Sequence, residues 1–204
     1  VLDEKDKQSE YLEKSLGFAR SSKDLEMITL VLSFIGGAYS DKEDWNKSLN
    51  YYKQTLEISR QLPDKNGLAS DLINLANLYI ETKELQKALQ HANEALLIYQ
   101  SLGADKDDIY TGYVNSLNSL ARIYNELGNK KLAILYGKQV VNGIQRERQQ
   151  LQNLEKSLQK GYLQKNEKLY RRLAEWLVEA GRLVEAEQVL AMLKQEEVAD
   201  YLRT

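Results

Sequence analysis

The sequence contains no cysteine, one histidine, His91, and one proline, Pro63. Without cysteine there is no disulfide, no thiolate ligand and no thiol nucleophile, and a lone histidine leaves neither a His-based metal site with Cys partners nor a Cys–His pair. His91 reads as a partly exposed structural residue beside Ala92. The scarcity of proline and of β-branched clusters argues against a strand-rich domain, which needs frequent turn punctuation, and predicts an all-α chain. There is no apolar run of the roughly 18 residues a spanning helix needs and no signal-like segment. With no cysteine, this fits a cytoplasmic location. The net charge of -2 gives no bulk reason to expect nucleic acid. No Gly-rich phosphate loop follows a strand, and the acidic pairs Asp107-Asp108 and Glu196-Glu197 stand at loops or helix ends, where they complement a helix dipole or meet water. The expectation is a protein that is not an enzyme, with no catalytic residue, no cofactor and no metal.

What is present is a repeated spacing. Over Ser70 to Leu102, Leu72, Leu75, Ala76 and Tyr79 take the i, i+3, i+4, i+7 positions of one helical face, followed by Ala88, Ala92 and Ala95. Gly36, Tyr39, Ser48, Tyr52 and Thr55 repeat that register upstream. Ala121, Tyr124, Ala133, Gly137 and Val140 repeat it downstream, and Ala174, Leu177, Ala186, Leu190 and Leu193 close the series. Two antiparallel helices cross closely only where both carry small residues. Gly36, Ala76, Ala121 and Ala174 supply one side of each crossing, and Ser48, Ala88, Ala133 and Ala186 the other. The pattern resembles the tetratricopeptide repeat. That resemblance implies a right-handed superhelical solenoid of stacked antiparallel helix pairs. Successive small residues are 40, 45 and 53 apart, longer than the family's period of about 34. The extra length is expected in longer helices or in the connections between repeats.

Taken in order, residues 1–204 read as a single domain. Residues 3–22 match the second helix of a repeat at an offset of 40: Tyr11, Leu12, Ser15, Leu16 and Arg20 correspond to Tyr51, Tyr52, Thr55, Leu56 and Arg60. Because its first helix is missing and the chain opens on Val1, the sequence reads as a piece of a longer array. Repeat 1 spans 24–62, turning at Asp41 to Asp44 and closed by Pro63. Repeat 2 spans 67–102, with Gly103 as its C-terminal cap. Repeat 3 spans 107–160, turning at Gly128-Asn129 into a second helix extended from Lys130 to Lys160. Repeat 4 spans 163–194, and 195–204 forms a tail with the apolar cluster Val198, Tyr201 and Leu202. The long helix carries the stripe Ile144, Leu151, Leu154 and Leu158. Two readings stand for it: packing against the next hairpin, or a seam through which the helix pairs with a second copy.

The run Leu169-Tyr170-Arg171-Arg172-Leu173-Ala174-Glu175-Trp176-Leu177, followed by Glu179 to Ala186 and by Met192 to Glu197, resembles the last repeat of bacterial CHAT-family proteins. In those proteins tetratricopeptide repeats precede a caspase-like domain. The resemblance is most specific over residues 130–203. It implies a regulatory array whose caspase-like domain would follow Thr204, and it carries no catalytic residue onto this chain.

Stacked helical hairpins present the first helix of each pair to a concave face. The residues expected there are Ser33, Gly37 and Ser40; Ser70, Asn77 and Glu81; and Asn115, Asn118, Arg122 and Asn125. Asparagine offers a donor and an acceptor, which suits the backbone of an extended peptide, and Arg122 can add a charge-assisted contact to a carboxylate. The alternative is a solvated polar face. The repeated Lys and Arg positions of the clamp that holds chaperone tails are missing. Between Gln145 and Arg172, eight basic residues outnumber three acidic ones, but aromatics do not interleave with them as in a single-strand binder. The partner expected is a protein or peptide, with no nucleic acid and no membrane, bound by a monomer.

Overall fold

The computed structural model describes residues 4–103, 107–150 and 156–201. Among them the elements are α1 (Glu4–Ser22), α2 (Leu25–Ser40), α3 (Trp45–Ser59), α4 (Lys65–Glu81), α5 (Leu85–Leu102), α6 (Asp107–Glu126), α7 (Lys130–Gln150), α8 (Lys156–Glu179) and α9 (Leu183–Tyr201). No strand occurs among these residues, so the all-α prediction holds. Where the sequence suggests one domain, the contacts divide the chain into two compact units, residues 1–119 and 120–204, with the boundary inside α6.

In the first unit, helix starts are set by aspartates. Asp24, Asp44 and Asp64 each accept a hydrogen bond from the backbone N–H three residues on, at Met27 (3.0 Å), Lys47 (3.2 Å) and Gly67 (3.0 Å). Each side chain satisfies an amide that the helix itself leaves unpaired. The Asp64 cap starts α4 two residues before Gly67, earlier than the sequence suggests. Helix α3 stops at Ser59, ahead of Leu62, because Gln61 and Leu62 donate to carbonyls only three residues back, at Ile58 and Ser59. The last turn has tightened before Pro63 is reached.

The turn inside each hairpin is one motif repeated. Glu43 and Lys83 adopt φ of 59° and 60°. The next amides, of Asp44 and Glu84, donate back to Tyr39 and Tyr79 carbonyls at 2.9 and 2.8 Å. In the second unit Gly128 (φ 75°) and Gly181 (φ 73°) do the same, with Asn129 and Arg182 bonded to Tyr124 and Leu177. This left-handed cap satisfies carbonyls at the end of the first helix and turns the chain back.

The crossings fit the small-residue prediction. Ser48, Ala76 and Ala88 are fully buried in the first unit, as are Ala121 and Ala133, within about 1%, in the second. At Gly36 a methyl group would come within 2.6 Å of the Tyr52 ring, and at Gly112 within 2.6 Å of Tyr99 Cε1. Bare backbone lets these rings lie flat against α2 and α6. Beside each crossing an aromatic of the first helix stacks on the residue twelve positions later. Tyr39 stacks on Tyr51 (5.6 Å between centroids), Tyr79 on His91 (5.7 Å) and Tyr124 on Tyr136 (5.6 Å), all within 8° of parallel. Helix α1 packs on α2, and Arg20 reaches Gln54 much as Arg60 reaches Glu94, which fits α1 as a second-type helix.

The second unit departs from the predicted boundaries. The helix expected to run from Lys130 to Lys160 is α7 to Gln150, and Lys156 already belongs to α8. Helix α8 runs antiparallel on α7. Gln145 Nε2 donates to the Tyr170 hydroxyl at 2.9 Å, the Tyr162 hydroxyl bonds Glu147, and Gly137 faces Leu173 and Trp176. Residues 151–155, between the two helices, lie outside the described residues. Gly161, taken as the helix breaker, sits inside α8 with open space around it. A single exposed glycine costs a helix only about 1 kcal/mol. Nor does 195–204 begin as a tail, since α9 continues to Tyr201; the cluster Val198, Tyr201 and Leu202 lies outside the described side chains.

Candidate partner-binding face

Helix α4 is the centre of the first unit, with ten of its seventeen residues buried. Leu68, Leu72 and Leu75 form its inner stripe, and Asp71 stands in the same stripe at the i+3 position from Leu68. Asp71 is 8% exposed. Its Oδ2 accepts a hydrogen bond from the Ser59 hydroxyl at 2.5 Å. Burial pushes its carboxyl up to about 6, opposed by the Ser59 and Ser33 hydroxyls and reinforced by the Asp64 charge.

Asp71 opens on a cavity of about 340 Å³ between α2 and α4. Glu26 and Ser33 line it from α2, Ser59 from the end of α3, Asp64 from the turn, and Asn74 from α4. Asn74 Nδ2 donates to Ser33 Oγ at 3.2 Å, tying the two helices together across it. Ser70 lies on the rim, exposed, with its hydroxyl 3.0 Å from that of Tyr99. Two residues predicted on the binding face, Ser33 and Ser70, are thus brought into one cavity. Asp71, Asn74 and Ser59, which complete it, were missed. The available signal was an acid in an otherwise apolar helical stripe.

The remaining predicted residues lie further along. Asn77 is half-buried, and its Oδ1 accepts from Ser119 of α6 at 3.0 Å. Ser119 also donates to the Asn115 carbonyl at 3.1 Å. The Asn115 side chain is exposed, Asn118 is half-buried, and Glu81 is exposed at the end of α4. Arg122 and Asn125 belong to the second unit. Arg122 lies near Arg172, whose guanidinium is held below its usual range by burial first and by the Arg122 charge second. Asn125 Oδ1 accepts from Lys130 Nζ at 2.7 Å. His91 is half-buried under Tyr79, with Nδ1 enclosed and lacking a hydrogen-bond partner, and burial lowers its pKa. This fits the structural role read from sequence.

Among the described residues, no group of three or more His, Cys, Asp or Glu is placed to hold a metal. No helix among them is long and apolar enough to cross a membrane. Ile144, the first residue of the candidate dimer stripe, is 3% exposed. It is spent on internal packing, while Leu151, Leu154 and the side chain of Leu158 lie outside the described residues.

Residues 27–101 match the family model for the tetratricopeptide repeat. Response regulator aspartate phosphatase E of Bacillus subtilis (strain 168) is 29% identical over 102 residues, 49% of this chain and 26% of that protein. The chain therefore spans about a quarter of the length of this curated relative. Among solved structures, the repeats of a putative kinesin light chain from Podosopora anserina superimpose with a TM-score of 0.67 at 17% identity, over 96% of this chain and 88% of that one. The quorum sensor NprR of B. thuringiensis, in its apo form, gives 0.57 at 16% identity, over 93% and 59%. At these identities the likeness speaks for the fold. The chain has an all-α fold of the tetratricopeptide type, made of antiparallel helix pairs.

Proposed function

We propose that the chain is a non-catalytic interaction module that holds an extended peptide segment of a protein partner along α2, α4 and the first half of α6. The observation that carries this is the cavity between α2 and α4, where Ser33, Ser70, Asn74 and Asp71 stand among apolar lining residues such as Leu30 and Leu62. Asn77 and Asn118 continue the same polar line on α4 and α6, each half-buried and fixed in place. Half-buried amides on rigid helices bind a backbone with little ordering cost. The fold is shared with a quorum sensor, and the relative from B. subtilis acts on a response regulator; both are consistent with a signalling partner.

A random-peptide phage library panned against the chain tests the reading. Enriched peptides should lose at least tenfold in affinity, about 1.4 kcal/mol, when Asn74, Asn77 and Asn118 are replaced together by Ala. Absence of enrichment, or affinity unchanged in the triple variant, overturns it. A finer reading is that the module works in a bacterial cytoplasm and governs a caspase-like domain that follows it in a longer chain. It is motivated by the CHAT-like run from Leu169 to Glu197. A parent gene with no His- and Cys-bearing α/β domain downstream would remove it.

A further inference from the structure

The cavity between α2 and α4 is lined with charge of one sign. Three carboxylates face it: Glu26 from α2, Asp64 from the turn before α4, and Asp71 from α4 itself. Among the described residues, no Lys, Arg or His lines it. Asp71 is the deepest of the three, more than nine-tenths buried, and receives only hydroxyl donors, from Ser59 and Ser33. Other helix carboxylates of this unit are placed differently. Glu94 is paired with Arg60 at 2.7 and 2.9 Å, and Asp44 with Lys47 at 3.2 Å. A buried carboxylate costs free energy unless a cation or a full set of donors compensates it. Here the charge that acts on it, Asp64, is of the same sign, and Asp71 is among the residues that line the cavity.

We infer that this cavity is a subsite for one basic side chain, a guanidinium or an ammonium, of the peptide held along α2 and α4. The inference rests on the peptide-binding reading above and adds the chemistry of one recognised residue. The volume of about 340 Å³ admits an arginine head with part of its stem. Planar guanidinium has five donors: two can meet the free lone pairs of Asp71, while Glu26 and Asp64 receive others at the mouth. Asn74, whose Nδ2 donates to Ser33, keeps its Oδ1 for an N–H of the adjoining peptide backbone. Other groups near Asp71 are Tyr52 and Ser59 on α3 and Tyr99 on α5, none of them cationic. Because burial raises the Asp71 carboxyl to about 6, acidification should discharge the subsite.

The probe is acetyl-Gly-Ser-Arg-Ser-Gly-amide, titrated into the ¹⁵N-labelled chain at pH 7.5 to 10 mM, beside the same peptide with citrulline for arginine. Citrulline keeps the shape and removes the charge. Amide shifts of α2 and α4 should saturate with the arginine peptide at a Kd at least tenfold lower than with citrulline. Asp71→Asn should abolish that difference, and Glu26→Gln, an exposed position that leaves the core untouched, should reduce it about threefold. At pH 5 the arginine peptide should bind roughly tenfold more weakly, since only about a tenth of Asp71 would be ionised. Equal binding of the two peptides, absence of shifts at α2 and α4, or an arginine preference unaltered in Asp71→Asn overturns the subsite. Library peptides that still need Asn74, Asn77 and Asn118 but show no basic residue would sink the subsite alone and leave the groove standing.

Discussion

Individual residues in this fold are held by volume and by charge, and both make sharp predictions. A methyl group at Gly36 or Gly112 would meet an aromatic ring that is itself enclosed by the hairpin. Gly36→Ala and Gly112→Ala should each destabilise by about 1–3 kcal/mol, although alanine is the better helix former, as urea denaturation would register. The opposite holds at the turns. Glu43 and Lys83 sit in the left-handed region, where a side chain costs about 1–2 kcal/mol and glycine much less. Glu43→Gly and Lys83→Gly should each stabilise by about 0.5–1 kcal/mol in the same assay. Asp71 is costly in a third way. With its carboxyl raised from the ordinary 3.8 to about 6, the folded state favours the protonated form. Stability therefore falls as pH rises from about 4 to about 6, by up to roughly 3 kcal/mol, and is flat above. Asp71→Asn keeps an oxygen for Ser59 and should be more stable than the native chain at pH 7.5, with this pH dependence gone from thermal melts. A residue retained at a stability cost is what a recognition site requires.

At the scale of elements, α4 should be the last helix to open. It is buried along most of its length and packs on α2, α3 and α5, so its amides should exchange with deuterium more slowly than those of α1. Element structure was legible where the signal was local. The small residues at the crossings, the turns at Gly128 and Gly181 and the cap at Gly103 all announce themselves by composition. The turn at 41–44 is read from sequence as well, but its left-handed angle at Glu43, like that at Lys83, falls on residues that give no hint of it, because the hairpin imposes the strained angle. The division of the expected long helix into α7 and α8 was missed for the related reason that the sequence from Lys130 to Lys160 holds no proline and no glycine beyond Gly143. Gly161 offered a false stop instead. The binding face was half legible: Ser33 and Ser70 follow from helical spacing, whereas Asp71 was hidden in a stripe whose other members are leucines.

For the whole molecule, the alternative reading of a dimer seam along one long helix meets a buried Ile144 and a helix that ends at Gln150. Sedimentation equilibrium between about 10 and 300 μM should give a single species near 23.5 kDa. A concentration-dependent doubling of mass would revive the seam.

The interval between stacked rings is twelve residues in each hairpin, from Tyr39 to Tyr51, Tyr79 to His91 and Tyr124 to Tyr136, while the first rings of successive hairpins stand 40 and 45 residues apart. Length varies outside the ring-to-ring segments, as in the twenty residues of α6 against seventeen in α4. Foreign segments such as a fluorescent tag or a protease site should accordingly be rejected anywhere between a ring and its mate, which tells protein engineers where not to splice.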